Sequence, residues 1–128
     1  MKYSFYAVGT VFLTISGMSL AQGLTAVKPL PGYACMRLKL THEQVADRNL
    51  QIPVFVGPSV SSGKLGNASA IVLVRAPLRV ENGFAEILFP DGRTAWLSRD
   101  LLEPYATSEF PNAHCTPSLM SNGKPGFG

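Results

Sequence analysis

Histidine, cysteine and tryptophan are all scarce in this chain, with two, two and one among 128 residues. A zinc site needs its sulfur and imidazole ligands at close, repeated spacing. His42, Cys35 and the adjacent His114-Cys115 offer no such set, so no metal and no cofactor are expected. Charge is low as well, at 15% of residues, and the formal +3 is spread along the sequence rather than gathered in blocks. Such a distribution gives nucleic acid no basic stripe and an anionic membrane no polybasic segment, so neither is an expected partner. Internal repeats are absent. The stretch "GPSVSSGKL" fails as a phosphate loop, because Gly57 to Gly63 is too long a spacing and Leu65 stands where a magnesium-binding Ser or Thr belongs.

A long clean hydrophobic run is also missing. Phe5 to Leu20 is apolar but broken by Gly9, Thr10, Thr14, Ser16 and Gly17, short of the ~20 apolar residues that a membrane span requires. With Lys2 ahead of the run and Ser19-Leu20-Ala21 behind it, residues 1–21 read as a secretory signal peptide cleaved after Ala21. An uncleaved anchor is the alternative. No Cys follows the cleavage position, as a lipid anchor would need, and no Arg pair marks a twin-arginine signal. The mature chain from Gln22 is the size of one compact domain. It is expected in the periplasm or outside the cell, with no stable membrane insertion after signal cleavage. In that oxidising setting Cys35 and Cys115 are expected to form one disulfide, the alternative being two free thiols or half of a metal site.

Pro29, Pro31 and Gly32 punctuate residues 22–34, which read as an extended entry segment. In "ACMRLKL", Met36, Leu38 and Leu40 alternate with Arg37 and Lys39, the pattern of a half-buried strand. Thr41 with Gln44 three residues on is a capping box that opens a short helix through "HEQVADR". "IPVFV" is a strand, "SVSSGKLGNAS" an exposed loop and "AIVLV" a buried strand. "GFAEILF" and "RTAWLS" form a hairpin, and "RDLLEPY" makes one helical turn before Pro104. Residues 106–128, polar and rich in Pro and Gly, read as an irregular tail anchored by Cys115. About five short strands between turn signals, with almost no helix, predict an all-β fold, a small barrel.

"IPVFVGPS", "KLGN", "AIVLV" and "NGFAEILFPDGRTAWLSRDLL" together resemble the bacterial SH3 domain pattern, over residues 50 to 105 and from Cys35 if "CMRLKL" supplies the first strand. The resemblance implies an SH3-like barrel across residues 35–105, and an envelope binding module for peptidoglycan or peptides with no catalysis of its own.

Turn chemistry decides which way the hairpin residues face, because a one-residue slip inverts every side chain. A two-residue loop at Asp91-Gly92 would set Ile87 opposite Trp96. A three-residue loop, Pro90-Asp91-Gly92, sets Ile87 opposite Ala95 and Leu97 opposite Ala85. The second is preferred, since Pro90 suits the first central position of a type I turn. Phe84, Leu88 and Trp96 then share the outer face, bordered by Glu86, and these four residues are the expected ligand-binding set. The alternative is that the N-terminal strand, the tail or a partner subunit covers this face as secondary core.

Other chemistries fit less well. His114-Cys115 could be a thiol and base, but chain neighbours rarely face one another and Cys115 is expected to pair with Cys35. Glu81, Glu86 and Asp91 cluster around one hairpin, whereas glycoside hydrolysis needs two acids facing across a cleft. Arg75, Arg79 and Arg93 are expected to be solvated surface charges. The expected function is therefore non-catalytic: an SH3-like binding or interaction module of the cell envelope, whose ligand is a peptide, a protein or a cell-wall component such as peptidoglycan. A small secreted hydrolase or thiol enzyme, and an accessory or inhibitory subunit of another envelope protein, are the alternatives.

Overall fold

The computed structural model describes residues 23–128; the expected signal segment, 1–21, lies outside them. Among the described residues no helix is long and apolar enough to cross a membrane. The chain forms β1 (Ala26–Pro29), β2 (Tyr33–Leu38), the helix α1 (His42–Ala46), β3 (Pro53–Phe55), β4 (Lys64–Asn67), β5 (Ile71–Arg75), β6 (Val80–Glu81), β7 (Phe84–Leu88), β8 (Thr94–Ser98), β9 (Leu102–Pro104), β10 (Pro117–Met120) and β11 (Pro125–Phe127). Short 3-10 turns at Val60–Ser62 and Arg99–Leu101 precede β4 and β9.

The fold is all-β, in two antiparallel sheets. The larger runs β4-β3-β8-β7-β5-β2-β9, with β6 added beside β7, and the smaller runs β1-β10-β11. Neither closes into a barrel among the described residues: β4 and β9, at opposite ends of the larger sheet, remain edges. These edge strands are short and β9 ends on Pro104, which has no N–H to donate to a further ladder.

The alternating strand "ACMRLKL" faces inward as expected, with Leu38 buried and Met36 and Leu40 packed against the core. That core joins Leu38 to Val54, Val72, Val74, Ala85, Ile87, Ala95, Leu97 and Leu102. The capping box forms: Gln44 N–H donates to Thr41 Oγ1 at 3.1 Å, and Thr41 N–H donates to Gln44 Oε1 at 2.9 Å. The helix stops at Ala46, earlier than Arg48, with Asp47 already extended.

Three segments differ from expectation. The loop after β3 contains a 3-10 turn and β4, in which Gly66 pairs with Val54 and leaves room for the tip of the Phe89 ring, where a Cβ would collide. The "RDLLEPY" turn is only three residues long and gives way to β9, paired with β2. The tail is irregular as far as Thr116 but then turns into the β10–β11 hairpin, and the extended entry segment supplies β1, which pairs with β10. The hairpin arises from a turn in which Gly123, at φ 82°, closes Ser121-Asn122-Gly123 and Asn122 Oδ1 accepts from Lys124 N–H at 3.0 Å. The expected disulfide is present: Cys35 on β2 is bonded to Cys115, just ahead of β10, with 6.1 Å between their Cα atoms. It fastens the small sheet to the large one.

Candidate functional site

The β7–β8 hairpin has the three-residue loop. Phe89 N–H donates to Arg93 O and Gly92 N–H to Phe89 O, both at 2.8 Å, and Gly92 takes φ 95°. Ile87 therefore stands opposite Ala95, and Ala85 opposite Leu97, both pairs within the core. Asp91 holds the turn, its Oδ1 accepting from Arg93 N–H at 2.9 Å and its Oδ2 from Arg93 Nε at 2.7 Å. The Arg93 side-chain bond, then its backbone N–H, draws the Asp91 carboxyl below the ordinary value of 3.8. Because the folded form binds that proton less tightly than the unfolded chain, the turn's contribution is complete above the ordinary value. It is lost as pH falls through the lower folded one. Asp91→Asn is expected to lower stability modestly at neutral pH and to match the unmodified protein in acid, so that the acid limb of stability against pH flattens below about pH 4, as read from urea transitions across that range.

On the outer face of the large sheet a cross-strand row runs from Phe55 on β3 to Trp96 on β8, Glu86 on β7, Arg75 on β5 and Tyr33 on β2. Its centre is buried, with Trp96 7% and Glu86 4% exposed. The tight turn Asn82-Gly83, both residues at positive φ, folds β6 back beside β7 so that Arg79 lies next to Glu86. Arg79 Nη1 donates to Glu86 Oε1 at 2.9 Å, its Nη2 bonds Glu81, and its guanidinium carbon lies 5.5 Å from the centre of the Trp96 ring. Arg75 Nη1 reaches the other Glu86 oxygen at 3.3 Å. Bonds to Glu81 first and then Glu86 strengthen the hold of Arg79 on its proton. Asn82 Nδ2 donates to Pro58 O at 3.1 Å and ties this hairpin to the loop after β3.

Of the four expected ligand residues, the fold brings Phe84, Glu86 and Trp96 together. Phe84 is half-buried and meets Phe55 edge to face, ring centres 5.8 Å apart. Leu88 lies apart from them, in a cleft of about 120 Å3 between the two sheets whose walls include Ile71, Leu73, Phe89, Pro125 and Phe127. The tail thus covers one end of the face, and Arg79 roofs the other. Phe55, Arg75 and Arg79 were not among the expected site residues, and the reading of Arg75, Arg79 and Arg93 as merely solvated charges is corrected by their pairing with Glu86 and Asp91. The signal that places Arg79 is Asn82-Gly83, a strong two-residue hairpin dipeptide.

The other candidate chemistries lose their groups to structure. Both cysteines are bonded to each other. Glu81 and Glu86 share Arg79 on one side of the hairpin, and Asp91 is engaged in the turn at its far end. Among the described residues no three His, Cys, Asp or Glu side chains gather as a metal site. Comparison of the chain with protein-family models, with curated proteins and with solved structures returns no match.

Proposed function

We propose that the protein is an exported, non-catalytic interaction module of SH3-like type, acting in the periplasm or outside the cell, and that its partner is an envelope protein or a peptidoglycan component met by the β7–β8 face. The observation that carries this reading is the Phe55–Phe84 edge-to-face pair beside Arg79 and Trp96. Two rings packed edge to face, beside a guanidinium laid over a third, present apolar surface and donors with little freedom left to lose. The disulfide favours an oxidising location. The engaged thiols and carboxylates favour binding over hydrolysis or thiol chemistry.

The test compares unmodified protein with Phe84→Ala in capture from envelope extract and in co-sedimentation with purified peptidoglycan. Phe84 is half-buried and lies outside the core cluster, so its truncation leaves the fold intact while removing a contact surface. Retention in one assay, weakened about tenfold by Phe84→Ala, is the expected result. Retention that is indifferent to Phe84, or none at all in either assay, overturns the reading.

A further inference from the structure

Arg79 occupies a cation receptor that the chain builds for itself, and we infer that this receptor takes an arginine or lysine side chain from a protein partner in exchange for Arg79. The inference rests on the reading of the β7–β8 face as a binding surface and names the group that surface recognises. The floor of the receptor is recessed: Trp96 is 7% and Glu86 4% exposed. The roof is not, because the Arg79 side chain is 56% and that of Glu81 45% exposed. Every contact of the Arg79 guanidinium is one that any guanidinium would make: an indole face at 5.5 Å, one oxygen of Glu86 at 2.9 Å, and Glu81.

Exchange is balanced in charge and contacts. Two arginines and two glutamates make the cluster neutral. With Arg79 swung into solvent, Glu86 keeps Arg75 at 3.3 Å, Glu81 keeps no ion pair among the described residues, and one unit of negative charge is left over the indole. An incoming cation restores what Arg79 gave up. A planar fork that spans two carboxylates while lying on a ring favours guanidinium over ammonium. A lone cation competes poorly against a tethered side chain. The ligand is therefore a chain that adds contacts of its own, and Phe55 and Phe84 are the apolar surface flanking the site for them.

Trp96 is the chain's only tryptophan, so its fluorescence reports on this site alone. Arg79→Ala empties the receptor, and N-acetyl-arginine amide is the probe. Its half-maximal effect on Trp96 emission is expected at about one-tenth of the concentration that the unmodified protein requires. N-acetyl-lysine amide is expected to act more weakly, and N-acetyl-glutamine amide or sodium chloride at equal concentration not at all. Adding Glu86→Gln to Arg79→Ala is expected to abolish the response. A cooperative melt establishes that each variant is folded, and Arg79→Gln, which keeps a neutral hydrogen-bonding group, serves if Arg79→Ala has none. A folded variant that responds to arginine amide no more than to salt overturns the inference, and so does failure of both variants to fold, which would make Arg79 a structural group. Loss of the response with Phe84-dependent capture intact removes the cation site and leaves the binding face standing; the response with no partner captured does the reverse.

Discussion

Reducing the Cys35–Cys115 bond is expected to lower the free energy of unfolding by about 4 kcal/mol, because the link closes a long loop and so restricts the unfolded chain far more than the folded one. The bonded residues are 80 positions apart. Urea transitions of the oxidised protein, of the reduced protein and of Cys35→Ser/Cys115→Ser measure the effect. A change under about 1 kcal/mol would contradict the loop-closure account. The loss should also be uneven. The small sheet is joined to the large one by the turn between β1 and β2, by the irregular stretch before β10, by the apolar cleft around Leu88 and Phe127, and by the disulfide. With the last removed, amide protons of β10 and β11 are expected to exchange well before those of β5, β7 and β8, whose ladder lies over the main core.

Trp96→Ala is expected to cost about 4 kcal/mol, the range found when a large aromatic is deleted from a packed site. The ring is 7% exposed, pairs across strands with Phe55 and Glu86, and supports Arg79 from beneath. Its loss opens a void and also brings water to the Glu86 carboxylate, weakening the arginine pairs around it. The expected transition remains cooperative but moves to lower urea. A shift under about 1 kcal/mol would mean that the ring is not part of a second core. On the proposed reading Trp96 serves stability and recognition together, and Phe84, half-buried at the rim, is the position that separates them.

What was legible beforehand was local. Pro90-Asp91-Gly92 carries its own register, so the facing of Ile87, Leu97 and Trp96 follows from three residues and their turn angles. Thr41 and Gln44 cap their helix without reference to the rest of the chain. The tail repeats the first of these devices. Asn122 accepts from Lys124 N–H as Asp91 does from Arg93 N–H, and Gly123 takes the left-handed place of Gly92. Flanking Pro117 and Pro125 mask that likeness, since proline disfavours strand interiors, yet both sit in the short β10–β11 pair. Asn82-Gly83 is a signal of the same kind that was passed over, so the pairing of Arg79 with Glu86 was missed. What covers the outer face was left open between the N-terminal strand, the tail and a partner: the placement of the tail over Leu73 and Leu88 depends on a bond and a sheet joining segments far apart in sequence.

The pairing of Ala26 with Met120 sets an order in time. Synthesis makes Ala26–Pro29 before every strand of the large sheet, yet β10, the strand it pairs with, is made after all of them. The large sheet draws all its strands from Tyr33 to Pro104 and can assemble meanwhile, whereas contacts so distant along the chain close slowly. β1 therefore lacks its ladder partner until β10 has been made, and any chaperone that shields this nascent chain has Val27 and its neighbours to hold until Met120 arrives.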